Sequence, residues 1–349
     1  MKLTSLPRVK LANLPTPIQK MPNFTEALGG PQVYIKRDDL TGLAFGGNKG
    51  RKLEYLMADA LANDADYIVT NAGFQSNWCT QTVAAGRRLG MNVVLIKSGP
   101  KDDYTPESDD GNHLLHRLMG AEIHVTRPEK TREEIDKVME YLKSRGHKPY
   151  YMVVGGSTPL GAAGYANAML ETVYQSAEMG VQFDYLVHAT GSGGTQAGLA
   201  TAAKAFNSGI KVLGITTGSR TEGRQKERLL KLADETSDFL GFEVKCTEDD
   251  INVFDEYAEG YGYMTSGKAE AIKLLAETEG IFLDPVYTAS AMTGLISLAR
   301  SDYFQKDNNV LFLHTGGTAA LFPYREPLRA YIEGENLPWK IPSWSPAAQ

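Results

Sequence analysis

The sequence predicts an α/β protein whose strands run mostly parallel within two packed units. Short apolar runs rich in β-branched and aromatic residues alternate with longer helical patterns, which is the signature of βαβ units. Several of these runs are apolar throughout, as strands covered by helices on both faces must be. A chain of 349 residues is also longer than one ordinary core encloses, so two domains are expected.

In chain order, "AFGGNKGRKLE" (44–54) packs two glycines, an asparagine and two lysines ahead of a helix. The strand runs follow: "YIVT" (67–70), "NVVLIK" (92–97) and "EIHVT" (122–126), which with their helices form a small unit. The charged amphipathic pattern "EKTREEIDKVMEYLKSRG" (129–146) comes next, its charges forming a solvated helix face. Then come "YYMVVGG" (150–156), "YLVHATG" (185–191), "KVLGITT" (211–217) and "VLFLHTGG" (310–317). The tail "NLPWKIPSWSPAAQ" (336–349) is broken by prolines and reads as irregular.

Composition narrows the function. The net charge of −6 is spread over interspersed acidic and basic residues, which argues against nucleic acid or an anionic membrane and leaves a small molecule as partner. The opening "MKLTSLPRVKLANLPTP" holds no apolar run of signal-peptide length, and no other stretch could span a bilayer, so a cytoplasmic location is expected. Cys79 and Cys246 make neither a disulfide framework nor a CxxC pair. His113 and His116 in "NHLLHRL" lack a third ligand at metal spacing and are expected on a helix surface or boundary; no metal is expected. His188 and His314 would be satisfied within the sheet, and no nucleophile-elbow signature accompanies them.

Ligands of parallel α/β sheets sit beyond the carboxyl ends of strands, so chemistry is sought where glycine follows a strand. In "FDYLVHATGSGGTQAGLATAAKAF" (183–206) a strand runs into Gly191, Ser192, Gly193, Gly194 and Thr195, then an alanine-rich helix. Consecutive N–H groups, a helix N-terminus and two hydroxyls suit a phosphate, although a tight packing turn would use the same glycines. Neither the dinucleotide fingerprint nor the P-loop pattern is completed, which favours a phosphate on something other than a nucleotide. In "NAGFQSNWCTQTVAAGRRLG" (71–90), Gln75, Ser76 and Asn77 open a helix, where they either meet an anion or simply cap it. "EGIFLDPVYTASAMTGLISLA" (279–299) places Tyr287 before a small-residue helix, "EGYGYMTSGK" (259–268) puts Tyr261 in a loop, and "FLHTGGTAALF" (312–322) repeats the hydroxyl and double-glycine pattern at Thr315. Each of these has core packing, a lid or another turn as its alternative.

Taken together, "LPTPIQKMPN", "YIKRDDLTG", "GGNKGRKLEY", "QSN", "VGGSTPLGAAGY", "ATGSGGTQAGL", "GYG", "LDPVYTASAMTGLI" and "LHTGG" resemble the pyridoxal-phosphate enzymes of the tryptophan-synthase β-subunit fold. The resembling branch is that of D-cysteine desulfhydrases, cysteate sulfo-lyases and 1-aminocyclopropane-1-carboxylate deaminases, and the resemblance covers nearly the whole chain. It implies fold type II: two domains, each an open, mostly parallel twisted sheet flanked by helices. Residues 1–52 with 166–349 would form the large domain and 53–165 the small inserted one. Pyridoxal 5'-phosphate is the implied cofactor, a small amino acid the substrate, and a homodimer the usual assembly.

By the same resemblance Lys49 carries the cofactor as a Schiff base, burial favouring its neutral, nucleophilic amine. Gly46 and Gly47 would let the backbone pass beneath a flat cofactor, and Lys52 would be a structural lysine. Asn77 would meet the ring hydroxyl, and Ser76 would sit over the ring face. Gly191, Ser192, Gly193, Gly194 and Thr195 would hold the phosphate. Thr315 would meet the pyridine nitrogen, where a neutral hydroxyl limits the electron sink and favours elimination over transamination. Tyr287 and Tyr261 would orient substrate or assist proton transfer to the leaving group, and Gln75, Trp78 and Thr288 would stand on the substrate side.

The deaminases of the branch carry glutamate after the tyrosine matching Tyr287 and leucine before the final double glycine; here those positions are Thr288 and Thr315. Both point to loss of a β-substituent, with D-cysteine desulfhydration first and L-cysteate sulfo-lysis next. The branch's usual histidine and arginine after "QSN" are replaced by Trp78 and Thr80, its proline by Met264 and its lysine by Ser290. Arg220 and Arg224 in "TGSRTEGR" either bind an anionic substrate group or lie in solvent. Deamination of another small amino acid, and a non-catalytic binding protein retaining the fold, are the rival readings.

Overall fold

In a computed structural model the chain is described at residues 2–98, 109–218, 223–257, 260–335 and 337. The reading of the tail as irregular, and that of Arg220, lie outside the described residues. The strands are β1 (Ile18–Lys20), β2 (Gln32–Lys36), β3 (Tyr67–Ala72), β4 (Asn92–Ser98), β5 (Glu122–Thr126), β6 (Pro149–Met152), β7 (Tyr185–Thr190), β8 (Lys211–Thr216), β9 (Asn252–Phe254) and β10 (Asn309–Leu313). The helices are α1 (Pro22–Leu28), α2 (Lys49–Ala62), α3 (Asn77–Arg88), α4 (Gly111–Leu118), α5 (Thr131–Ser144), α6 (Pro159–Met179), α7 (Gly194–Ala205), α8 (Arg224–Leu240), α9 (Ser266–Glu279), α10 (Thr288–Arg300) and α11 (Arg325–Ile332). All seven strand runs read from the sequence are strands; β1, β2 and β9, two of them only three residues long, carried too little periodicity to be read.

The strands fall into two sheets. One has the order β1-β2-β10-β7-β8-β9, parallel except for the β1–β2 pair. The other has the order β5-β4-β3-β6 and is parallel throughout. Both faces of each are covered. Leu213, Ile215, Val310 and Phe312 pack toward α1, α9 and α10, whereas Leu186, Val212 and Leu311 pack toward α6 and α7. In the smaller sheet Val69, Val94 and Ile96 meet Ile135, Val138 and Leu142 of α5, which leaves that helix's charges in solvent as expected.

A buried ionic cluster holds the first turn of α2. Arg51 grips both oxygens of Asp38 at 2.8 Å and both of Glu171 at 2.9 Å. Lys36 donates to Glu171 at 2.7 Å and the Tyr165 hydroxyl to Asp38 at 2.6 Å. Forked guanidinium–carboxylate pairs fix direction as well as distance, so β2, α2 and α6 are locked together beside Lys49. No helix among the described residues is long and apolar enough to cross a membrane.

Candidate active site

Lys49 is the first residue of α2, and the loop before it lies against the loop after β10. Gly47 bridges Gly316, and the Asn48 N–H donates to the Thr315 carbonyl at 3.0 Å. Gly47 has φ 129°, and a Cβ there would stand 2.9 Å from the Thr315 oxygen; a Cβ on Gly316 would stand 2.5 Å from Gly47 Cα. Gly47 thus serves the close approach of two backbones, and a Cβ on Gly46 would collide with the Asp39 carbonyl. Gln81 of α3 completes the clamp, accepting from the Gly50 N–H at 2.7 Å and donating to the Gly46 carbonyl at 2.9 Å.

Beyond the strand ends, between the two sheets, lies a cavity of about 830 Å³, large enough for a cofactor and a small substrate. Lys49, Ser76, Asn77, Tyr261, Tyr287 and Thr315 all line it, as do Gly191, Ser192, Gly193 and Thr195. Burial pushes the Lys49 amine down to about 8 against an opposing pull from Asp284. Its Nζ donates to Asn48 Oδ1 at 3.0 Å, while Asn48 Nδ2 donates to Thr195 Oγ1 at 3.1 Å. Asn48, to which sequence reading gave no role, thereby ties the lysine to the glycine loop.

That loop is a built cradle. Gly193 takes φ 97° as the N-cap of α7. Ser157 accepts from the Gly194 N–H at 3.1 Å and donates to Ser192 Oγ at 2.8 Å. A Cβ on Gly194 would stand 2.9 Å from Ser157 Cα and 3.0 Å from Lys52 Nζ. Lys52 is fully buried, with its amine donating to the Gly155 carbonyl at 3.1 Å. Burial, then the neighbouring Lys49 charge, hold its pKa well below the ordinary range. Lys52 therefore faces the cradle, which the expectation of a purely structural lysine did not include. The buried Thr190 Oγ1, also on the cavity wall, has no hydrogen-bond partner among the described residues.

On the smaller sheet's side, Ser76 is the N-cap of α3, its Oγ accepting from the Cys79 N–H at 3.2 Å, so capping and cavity lining coincide. Gln75 points elsewhere: it donates to the Asp110 carbonyl at 2.8 Å and accepts from the Asn112 N–H at 2.8 Å. Trp78 touches the wall, but its indole N–H donates to Thr70 at 2.8 Å and its ring packs near Leu56 and Gly156. Thr80 turns toward Asn112 and His116. His113 and His116 are both buried, 1% and 0% exposed, which corrects the surface expectation: α4 packs against the first turn of α3.

Tyr261 and Tyr287 share a hydrogen bond of 2.6 Å between their hydroxyls. Burial raises both, Tyr261 to about 12 and Tyr287 well above its ordinary value, so both phenols are protonated at neutral pH. Thr288, expected on the substrate side, is buried and does not line the cavity: its hydroxyl donates to Asp284 Oδ1 at 2.8 Å. Asp284 also accepts from the N–H groups of Val286, Tyr287 and Thr288 at 2.8–3.0 Å. Of the two sheet histidines expected to be satisfied, His314 is, accepting from the Gly316 N–H at 3.1 Å and pairing with the Phe282 carbonyl at 2.9 Å, whereas His188 pairs its Nδ1 with the Ala189 carbonyl and leaves Nε2 without a hydrogen-bond partner among the described residues. Among the described residues no carboxylate lines the cavity, while Arg224 and Arg228 do.

The donor set fits a phosphate ester bearing an aldehyde. The Ser192 and Thr195 hydroxyls and the unpartnered Thr190 hydroxyl line the same cavity as the lowered Lys49 amine, and the Lys52 amine stands behind Gly194. Comparison with known proteins agrees. The chain is 40% identical over 331 residues to a D-cysteine desulfhydrase of Salmonella paratyphi C (strain RKS4594), covering 92% of this chain and 97% of that protein. It is 38% identical over 333 residues to a Pyrococcus furiosus protein provisionally named 1-aminocyclopropane-1-carboxylate deaminase, covering 95% and 98%. The crystal structure of an ACC deaminase homologue superposes with a TM-score of 0.85 at 39% identity, over 94% of this chain and 97% of that one, and the two-sheet architecture is that of fold type II. The family model described as "Pyridoxal-phosphate dependent enzyme" matches residues 9–316, a span that holds Lys49, the glycine cradle and Thr315, and the chain belongs to that family.

Proposed function

We propose that this chain is a lyase that removes a β-substituent from a small amino acid, with D-cysteine as substrate and pyruvate, ammonia and sulfide as products. The observation that carries the reading is the pairing of a lowered lysine amine with protonated phenols in one cavity free of carboxylates among the described residues. The desulfhydrase relative supports the choice of substrate. When bound, pyridoxal phosphate supplies the electron sink that stabilises the carbanion at the α-carbon.

Each residue then has a task. Gly191, Ser192, Gly193, Gly194 and Thr195 bind the phosphate through N–H and hydroxyl donors, with the Lys52 amine placed beside that dianion. Lys49 would hold the cofactor until the substrate amine displaces it, and the released neutral Nζ would then take the substrate α-proton. Asn77 meets the ring hydroxyl and Thr315 the ring nitrogen. The Ser76 hydroxyl, with its oxygen committed to capping, has its proton available to substrate. The Tyr261–Tyr287 pair has two protons and one shared bond, so one proton is available to the departing sulfur. A carboxylate after Tyr287 would suit ring opening; Thr288, held by Asp284, supplies none. L-cysteate is the second substrate to test, because Arg224 and Arg228 at the cavity suit a sulfonate.

The division into residues 1–52 with 166–349 and 53–165 is the working one, supported by the smaller sheet's strands all lying between 67 and 152. Closure of the two over substrate would keep water from the carbanion. A cytoplasmic homodimer is the setting proposed. Purified protein is assayed with D- and L-cysteine, L-cysteate, D-serine and 1-aminocyclopropane-1-carboxylate for pyruvate, 2-oxobutyrate, sulfide and sulfite. Sulfide and pyruvate from D-cysteine are expected, with Lys49→Ala losing turnover and the visible absorption of the lysine-bound cofactor. A yellow, fully active Lys49→Ala protein would refute the assignment.

A further inference from the structure

Position 80 is one of the departures from the branch pattern, and the structure shows a task for its threonine. Thr80 lies in the first turn of α3, buried and turned from the cavity toward α4. Its hydroxyl is 2.7 Å from Asn112 Oδ1, 2.8 Å from His116 Nε2 and 3.2 Å from the Ser76 carbonyl. The Asn112 carboxamide nitrogen is 2.7 Å from Asn77 Oδ1 and 3.3 Å from the Gln75 carbonyl. Carboxamides and hydroxyls can be turned either way, so the polarity of such a cluster must be read from groups that cannot flip.

Backbone carbonyls only accept. The Gln75 carbonyl therefore requires the facing atom of Asn112 to be nitrogen, which leaves Asn112 Oδ1 facing Thr80 and receiving its proton. With that hydrogen committed, the Thr80 oxygen accepts from an Nε2–H on His116. His116 Nδ1 then carries no proton, and it has no hydrogen-bond partner among the described residues. At the other end the Asn112 nitrogen meets Asn77 Oδ1, so the NH2 of Asn77 is left for the cavity. That NH2 passes beside Gly317, where a Cβ would stand only 2.4 Å from it.

We propose that His116, Thr80 and Asn112 form a one-way hydrogen-bond chain that holds the Asn77 carboxamide as a donor toward the cofactor ring. Thr80 and Asn112 are positioning residues for Asn77. The inference rests on the reading that Asn77 meets the ring hydroxyl. A donor there stabilises the ionised ring oxygen, whereas the flipped carboxamide would present an acceptor and favour the protonated one.

The test is the holoenzyme absorption spectrum recorded against pH for Asn77→Leu, Thr80→Val, Thr80→Ser and Asn112→Asp. Thr80→Val keeps the shape and removes the proton; Asn112→Asp keeps the shape and draws the Asn77 NH2 away from the cavity. Both are expected to shift the visible band in the direction that Asn77→Leu does, and to weaken pyridoxal phosphate binding about three- to tenfold, as loss of one hydrogen bond would. Thr80→Ser restores the unmodified spectrum, and apoprotein melting curves separate these effects from unfolding. Should Thr80→Val not fold, Asn112→Asp decides alone. An unshifted Asn77→Leu spectrum would remove the reading beneath the inference. A shifted Asn77→Leu beside unshifted Asn112→Asp and Thr80→Val would overturn the chain itself.

Discussion

Lys49 shows how burial weakens an ordinary cation. Its amine falls from the usual 10.5 to about 8 because the cavity desolvates it, with Asp284 pulling the other way. Attachment of the cofactor needs the neutral amine, so the rate of return of visible absorption on adding pyridoxal phosphate to apoprotein should rise about tenfold per pH unit and level off near 8. A rise continuing toward 10.5 would mean that the amine is not desolvated. The same shift has a stability sign. Between about 8 and 10.5 the unfolded chain holds a proton that the folded one lacks, so this lysine's burial costs stability at low pH and the cost fades as pH rises through that window. The sequence showed a glycine-rich turn ahead of this lysine, but the role expected of it came from the family resemblance; in the structure Gly47 makes the close approach to Gly316.

The glycine cradle at the start of α7 makes a prediction at the scale of an element, because its glycines are not equivalent. Gly194 has no room: a Cβ would meet Ser157 Cα at 2.9 Å, and backbone cannot swing aside. Gly191 would meet only Thr217 Oγ1, at 3.3 Å, without a left-handed φ. Gly194→Ala should therefore cost about 1–3 kcal/mol by overpacking and weaken pyridoxal phosphate binding more than Gly191→Ala does, read by thermal melts and absorbance titration. Equal effects would mean that Ser157 does not brace the loop. The cradle itself was readable, since strand, glycines and alanine-rich helix are consecutive; its brace was not, because Ser157, Lys52 and Asn48 arrive from other elements. Side-chain direction was hidden for the same reason. Gln75, Trp78 and Thr288 stand next to site residues in sequence, yet their hydrogen bonds run to Asp110, Thr70 and Asp284. Burial of His113 and His116 depends on α4 meeting α3, which no local pattern in "NHLLHRL" encodes.

At the scale of the whole molecule, apolar side chains left in water ask for a partner. Phe45, Leu118 and Phe322 are 70%, 72% and 65% exposed, and Leu40 and Leu114 are exposed as well. Their segments adjoin: Phe45 shares a crevice with Asn112, Thr318 and Ala319, and the start of α4 at Gly111 abuts Pro323 and the Ala319 carbonyl. Where Phe45, the start of α4 and the 318–323 segment adjoin, apolar side chains are exposed, and a second copy seated there would remove them from water. The proposed homodimer would bury this face, with Asn112 and the first turn of α3 directly behind it, so assembly would also steady the Asn77 side of the cavity. Sedimentation of the purified protein should give twice the chain mass, and Phe45→Asp with Leu118→Asp should give the single chain with its far-ultraviolet spectrum retained. In that monomer pyridoxal phosphate should still bind the cradle but with a lower affinity, because the wall bearing Asn77 has lost its backing. A native protein sedimenting as a monomer would end the proposal, and a double variant that stays dimeric would move the interface to another face.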